Sequence, residues 1–453
     1  MQTETKKTRS LVMMVLMIAL PVAGQRLIEI GVNIADTVML GTYGDIPLSA
    51  SSLANQYYNI FSIMCMGISG GAGVLASQFW GAGDTLSYKK IMNLMARLCL
   101  IGTAVFVLAT ALIPRQIMEM FSNDGQVIEQ GVQYLSIIVF VFFFHGITTC
   151  LSNILRSAGM AWLPFFVSCV SLFTNVFFNW VFIYGKLGFP EMRIRGAALG
   201  TLVARVIEFI IIVGYLLLKD KRIHYRLRDL RLKADKHLTT TYRKAGLPVI
   251  VSDMLLAFGN STVAMVVGKL GVEMSAANSI CSLVVQMTTA VIMGISTAGS
   301  VMVGQAVGKG DRREALKLGN VFLLISVIMG LIGGVVVLLI TPSIVSFYNI
   351  SALTREYADQ LMYSFALILV FQSISSVLTK GVLRGGGDTK FLMIADVLFL
   401  WCASIPLGYL AGFVWGLSPF WIQIFLKIDM VFKSIWCAGR LRRGKWIKKL
   451  TAS

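Results

Sequence analysis

Four polar residues share one face of an otherwise apolar stretch near the start of the chain. Arg26, Glu29, Asn33 and Asp36 are spaced by three, four and three residues, the repeat of a single helix face. Further on, Asn175 and Asn179 stand at i and i+4, and Gly196-Ala197-Ala198 is followed by Thr201. One carboxylate, two amides and a hydroxyl make a hard-ligand set, so Asp36 with Asn175, Asn179 and Thr201 can take a proton or Na⁺. Asparagines that merely bridge helices by hydrogen bonds are the alternative. Glu29, Asn33, Arg26 and, from the second half, Asp253 are candidates to line a substrate cavity. Arg26 has two possible partners, Glu29 one turn along or Asp253 on another helix. Pro21 precedes the stripe inside the same helix, where a missing hydrogen bond gives either a fixed kink or a movable one.

The elements that must hold these groups are set by composition. Of 453 residues, 56% are hydrophobic and 14% charged, and the mean hydropathy is +0.76, outside the range of soluble domains. Runs such as 101–113, 135–144, 321–340 and 361–370 lie in windows long enough to cross roughly 30 Å of hydrocarbon as helices. They do not alternate in polarity as barrel strands do. Twelve spans are expected, centred near residues 27, 64, 102, 141, 172 and 208, then 257, 290, 328, 368, 400 and 428. Ionisable groups on such helices cost on the order of 3 kcal/mol each, so they face a cavity or a partner.

An internal repeat organises the spans. Gly67, Ile68, Ser69, Val74, Gln78, Gly81, Gly83 and Asp84 return 227 residues later as Gly294, Ile295, Ser296, Val301, Gln305, Gly308, Gly310 and Asp311. The same offset carries Pro21 onto Pro248 and Arg26 onto Asp253, while Glu29 falls on Leu256 and Asp36 on Val263. The scaffold is duplicated and the polar groups are not. Six spans per copy give both copies one orientation and leave a cleft between them. The expected organisation is a first lobe at 1–218, a basic linker at 219–244 and a second lobe with a basic tail at 245–453. The repeated glycines suit tight exit turns or close helix approach.

The net charge of +18 is distributed as a topology signal. Lys6, Lys7 and Arg9, Lys89 and Lys90, Arg156, ten Lys or Arg within 219–244, Lys309 with Arg312 and Arg313, Lys380 with Arg384 and Lys390, and the tail from Arg440 to Lys449 fall on alternate loops. That side is the cytoplasm by the positive-inside rule, with both termini in it, and the chain is expected to be multi-pass in the inner (plasma) membrane. Nucleic acid is not an expected partner. The apolar start lacks a small-residue cleavage site and reads as span 1. The linker reads as an orientation signal or as a short amphipathic helix on anionic lipid, with Leu227 and Leu230 between arginines. Seven scattered cysteines read as packing residues, and lone His145 as a helix-contact histidine. Charges such as Arg97, Arg205, Glu208, Lys427 and Asp429 read as span-end groups that snorkel. The Gly-Lys pair near Gly308 lacks the spacing of a phosphate loop, no catalytic cluster is present, and neither a nucleotide-driven pump nor an enzyme is indicated.

Together these residues resemble the multidrug and toxic compound extrusion (MATE) family. The matching features are Pro21 followed by Asp36-Thr37 and Gly41; Gln78 with Gly81-Ala82-Gly83; Leu155-Arg156-x-x-Gly159; Asn175 through Gly185; Gly196-Ala197-Ala198-x-x-Thr201; and Leu383-Arg384-Gly385 to Asp388-Thr389. The resemblance covers essentially the whole chain. It implies an all-α integral membrane protein of twelve transmembrane helices, in two pseudo-symmetric six-helix lobes around a central cavity. It also implies antiport, with organic cations or amphipathic drugs exported against H⁺ or Na⁺ by alternating access, no other cofactor, and a monomer in the bilayer. The family's first-lobe cation site maps onto Asp36, Asn175, Asn179 and Thr201. Asn179 stands where many members carry an acid, which weakens Na⁺ binding relative to protonation of Asp36. Leu256 and Ser373 stand where another branch has acids, so the chain looks closer to the damage-inducible-type prokaryotic branch. A lipid-linked precursor or polysaccharide flippase of the same superfamily is the rival reading.

Overall fold

The computed structural model describes residues 2–348 and 350–451; the side chains of residues 2–10, with the basic start at Lys6, Lys7 and Arg9, lie outside the described part. Helices account for the structure, and no strand occurs among the described residues. The first copy comprises α1 (Gln2–Gly41), α2 (Asp45–Ala82), α3 (Thr85–Leu112), a short α4 (Pro114–Glu119), α5 (Gly125–Ser157), α6 (Trp162–Ile183) and α7 (Arg193–Gly214). The second comprises α8 (Lys236–Lys269), α9 (Val272–Lys309), α10 (Arg312–Ser346), α11 (Ala352–Ser376), α12 (Thr389–Phe399), α13 (Ile405–Tyr409), α14 (Pro419–Leu426) and α15 (Ile428–Arg442). π turns extend α7, α11 and α12, so that Ala352–Leu383 and Thr389–Val414 each form one long helical segment.

Among the described residues, eleven helices are long and apolar enough to span a membrane. The twelfth expected span is broken, because α14 and α15 meet at Lys427, whose φ of −120° is not helical. The break has a local cause. The Asp429 amide leaves the helix ladder and donates to Ser404 Oγ at 2.8 Å, while Ser404 donates to Asp429 Oδ1 at 2.8 Å. The chain is an all-α integral membrane protein of the expected twelve-helix class.

Helix ends follow from short-range chemistry. Asp124 caps α5 by accepting from the Gln126 and Val127 amides, and Asp311 caps α10 by accepting from Glu314, each satisfying an orphan donor of the first turn. Gly310, at φ +81°, closes α9 one residue earlier. Its repeat equivalent Gly83 turns the same way at φ +75°.

Packing divides the chain into two compact units that do not follow chain order. One consists of Gly24–Ala76 and Thr85–Thr240; the other takes the chain up to Ala23, Ser77–Asp84 and everything from Thr241. The lobes expected from the repeat follow the sequence, whereas these units follow contact, so the two divisions differ. The beginning of α1 and the end of α2 pack with the second copy, and most of the linker packs with the first. Glycines permit the former. Gly294 sits against the Ala19 carbonyl, Gly304 against Ser77, Gly308 against Gln78 and Gly81 against Gln305, each too close to admit a Cβ. The division in α1 falls within one turn of Pro21, which lies inside a continuous helix.

The linker is tied down rather than loose. Lys89 pairs with Asp229 at 2.8 Å and Lys90 with Asp235 at 3.3 Å. Arg97 donates to the Leu230 carbonyl at 3.0 Å, so it is a docking residue and not a snorkelling one. Asn93 donates to the Asp229 carbonyl and accepts from Tyr225 OH, both at 2.6 Å. The short helix is a 3-10 turn at Leu227–Arg231 that leaves Leu227 and Leu230 exposed. Burial acts to raise the Asp229 carboxyl, but the Lys89 ammonium, the Arg226 amide and nearby positive charge outweigh it and hold the group below its ordinary 3.8.

Candidate functional site

Within the first unit, α1, α6 and α7 bring the four expected coupling residues together. Asn179 Nδ2 donates to Asp36 Oδ1 and lies 3.2 Å from Asn175 Oδ1. Asn175 Nδ2 in turn lies 3.4 Å from Thr201 Oγ1. The two asparagines are buried, at 1% and 0% exposure, so the polar chain runs inward from Asp36. Its formation depends on helix approach. Gly200 touches the Asn179 amide, and Gly196 lies against the backbone at Phe182; a side chain at either would push α6 from α7. Asn179 Oδ1 is buried with no hydrogen-bond partner among the described residues. A buried acceptor left open costs free energy unless something occupies it, which makes it a ready ligand oxygen.

Among the described residues, no guanidinium pairs with Asp36. Arg26 is committed to Glu29 at 2.7 Å, and Arg205 to Glu208 at 2.8 Å. Of the two acids that the sequence offered Arg26, the one on its own helix holds it. Its partner is Glu29, whereas Asp253 pairs with Arg384, Nη2 to Oδ1 at 2.9 Å and Nη1 to Oδ2 at 3.3 Å. Each of these pairs lies inside one compact unit. Asn33 is exposed, and its backbone carbonyl accepts from Thr37 Oγ1 at 2.7 Å.

Several functional-looking groups escaped the spacing argument. Arg156 donates from Nη1 to Asn153 Oδ1 and from Nη2 to Gln25 Oε1, both at 2.7 Å, and Asn153 donates onward to Ser69. Gln25 adjoins the stripe already identified and is its extension by one position. In the second unit, Lys433 lies 2.8 Å from Asp429 and 3.4 Å from Asp396. Their side chains are only 1–4% exposed, so Asp429 is no snorkelling end-group. Ser252 donates to Asp396 Oδ2 at 2.7 Å. A lone acid within the apolar run 391–400 was the available signal for Asp396. Glu208 likewise proves buried, at 4% exposure. His145 does make helix contacts, with Nε2 at 3.3 Å from Ser62 Oγ and 3.4 Å from Thr149 Oγ1. The cysteines are all free, yet Cys65 and Cys99 approach to 3.5 Å between sulfurs.

Comparison with known proteins agrees with this architecture. The MatE family profile matches residues 21–181 and 248–410, once in each copy. A probable multidrug resistance protein NorM of Thermotoga maritima is 26% identical over 95% of this chain and 92% of its own length. Multidrug resistance protein NorM of Photobacterium profundum is 23% identical over 99% and 97%. Among solved structures, a MATE in complex with MaL6 superposes with a TM-score of 0.86 at 17% identity, covering 95% of this chain and 96% of the other. A MOP superfamily transporter from Pyrococcus furiosus, described as having a binding pocket of reversed polarity, superposes with a TM-score of 0.84 at 18% identity over 95% and 96%. The structural likenesses establish the fold, and the profile match over both halves establishes the lineage: the chain belongs to the MATE (MatE) family of membrane transporters.

Proposed function

We propose that the protein is a multidrug efflux antiporter of the plasma membrane, exporting organic cations or amphipathic drugs in exchange for H⁺ or Na⁺, with both termini in the cytoplasm. The names of its NorM relatives support the drug-export part. The single observation that carries the coupling is a carboxylate, Asp36, anchored by neutral amides while the neighbouring guanidiniums are paired elsewhere. An uncompensated carboxylate on a membrane helix has a strong demand for a cation.

Either a proton or Na⁺ meets that demand. A proton on Asp36 Oδ2 leaves the Asn179 bond to Oδ1 intact. Na⁺ would take the carboxylate, the open Asn179 Oδ1, Asn175 Oδ1 and Thr201 Oγ1, all hard oxygens. With one carboxylate in the set, protonation is the better supported form. A substrate cation and the coupling ion then compete for one negative charge in an alternating-access cycle, so arrival of the ion from outside releases the drug. The ion drives export only through its different affinity in the two states.

The test is efflux of a fluorescent cation from proteoliposomes under separately imposed H⁺ and Na⁺ gradients, for wild type and Asp36→Asn. Gradient-driven efflux is expected to vanish in the variant. Full retention would refute the coupling role of Asp36.

A further inference from the structure

The two copies treat one repeated arginine differently. Leu155-Arg156 and Leu383-Arg384 correspond at an offset of 228, one residue longer than that of the helices before them, and each is followed by a glycine of positive φ, Gly159 at +79° and Gly387 at +88°. Both arginines reach back to the helix that carries the repeated proline. Arg384 meets the carboxylate of Asp253 with both terminal nitrogens. Among the described residues, Arg156 meets only the neutral amides of Gln25 and Asn153.

Arg156 therefore keeps an unneutralised charge. Its surroundings do not remove it. Gln25 Nε2 lies 3.4 Å from Glu29 Oε1, but Glu29 is held by Arg26 at 2.7 Å. The cluster of Arg26, Glu29 and Arg156 thus holds two cations and one anion. Arg156 Nε is buried and has no hydrogen-bond partner among the described residues, so the donor fork is only partly used. A purely structural arginine at this place has a ready solution, the carboxylate that the second copy supplies at Asp253. The first copy omits it.

Resting on the export reading above, the geometry points to an oxyanion site at Arg156, with Gln25, Asn153 and Arg26 beside it, which takes the carboxylate of an amphipathic substrate. A planar carboxylate matches the guanidinium fork and forms charge-assisted hydrogen bonds. With Asp36 as the cation-seeking group on the same helix face, the preferred substrates are zwitterionic: a carboxylate on the Arg156 cluster and a delocalised cation toward Asp36.

The experiment compares tetramethylrhodamine, which carries a free carboxylate, with its methyl ester, which does not. Binding to purified protein is read by fluorescence anisotropy for wild type, Arg156→Gln and Gln25→Glu. The last variant places beside Arg156 the carboxylate found in the second copy, neutralising the guanidinium while keeping it. Wild type is expected to favour the acid, and both variants to reduce the acid-to-ester affinity ratio about tenfold or more. Retention of the wild-type ratio in Gln25→Glu overturns the site. So does displacement of the acid by equimolar phosphatidylglycerol, which reassigns the guanidinium to lipid phosphate. Efflux of the ester under imposed gradients separates the two readings. If the ester is exported but the acid shows no Arg156-dependent preference, the oxyanion site fails and the antiporter stands. If the acid binds through Arg156 but neither gradient moves either dye, the antiporter fails and the site stands.

Discussion

Gly81 lies against the backbone of Gln305, and its repeat equivalent Gly308 lies against the backbone of Gln78. The two contacts exchange partners across an offset of 227 residues, so α2 and α9 meet at their basic-side ends through one pseudo-symmetric pair of glycine approaches. Gln78 is fully buried beside them and holds the tail: its Nε2 donates to the Gly385 carbonyl at 3.3 Å and the Lys448 carbonyl at 3.2 Å, and its Oε1 accepts from the Leu450 amide at 2.8 Å.

Gly81→Val and Gly308→Val should therefore behave alike. Each forces the facing backbone away, and the variants should lose export and melt earlier in detergent, at a cost of about 1–3 kcal/mol for overpacking. Gly83→Ala, two residues on, meets open space and carries only the strain of its positive φ, about 1–2 kcal/mol. Wild-type melting and efflux in Gly81→Val would show that the approach is dispensable.

The buried Asp396–Lys433–Asp429 cluster yields a second expectation. Removing the shared cation with Lys433→Ala leaves two carboxylates facing each other at 4% and 1% exposure, which should destabilise the protein by about 3–5 kcal/mol. Adding Asp396→Asn and Asp429→Asn to Lys433→Met removes the charge altogether and should recover most of the loss. Thermal melting of the single and triple variants decides the matter; equal melting temperatures would deny the charge network.

Acid should release the linker. The Asp235 carboxyl is held below its ordinary 3.8 by the Leu238 amide and Lys90, and Asp229 is held low as well, its stabilising contacts outweighing burial. A depressed carboxyl stabilises the docked state fully above its unfolded value. That contribution fades as pH falls below about 4, through the lowered values of the docked linker. Cleavage within 226–233 by an acid-active protease should accelerate in that window in wild type. In Asp229→Asn the linker should already be cut faster by trypsin at neutral pH. Identical cleavage of the variant and wild type at neutral pH would remove Asp229 from the latch.

The helical class, the repeat, the stripe ending at Asp36 and the Asn175–Asn179 pair were legible because each rests on periodicity, and a helix face is readable from spacing alone; that Asp36, Asn175, Asn179 and Thr201 form one site was what the family resemblance implied. The broken last span was not, since its cause is Ser404 capturing the Asp429 amide from another helix. Arg26 had two candidate acids by sequence; in the fold it pairs with Glu29, and Arg384 pairs with Asp253. The same limit hid Lys433, whose partners lie 4 and 37 residues away. Only the nearer falls within a helical repeat, and there it looked like an end-group. Compact units that borrow Ser77–Asp84 from α2 are likewise a product of tertiary contact, which no hydropathy window records.

Asn179→Asp is the sharpest test of ion choice. Asn179 Nδ2 now donates to Asp36 Oδ1; a carboxylate in its place donates only when protonated. Two carboxylates at hydrogen-bond distance repel unless a proton is shared between them or a cation bridges them. Gly200 leaves room for the isosteric change, because the atom it touches is the Asn179 Oδ1 that remains an oxygen. The variant should thus bind Na⁺ about tenfold more tightly than wild type, as added ligand charge tightens hard-cation sites, and its efflux should shift from H⁺-driven toward Na⁺-driven. Asn175→Asp, whose amide bonds to Asn179 and Thr201, should give a smaller gain. Na⁺ titration of intrinsic tryptophan fluorescence, run beside efflux under each gradient alone, measures both effects. Equal Na⁺ affinity in wild type and Asn179→Asp would mean that Asp36 is not the ion's anchor, and the coupling would have to be sought at another carboxylate.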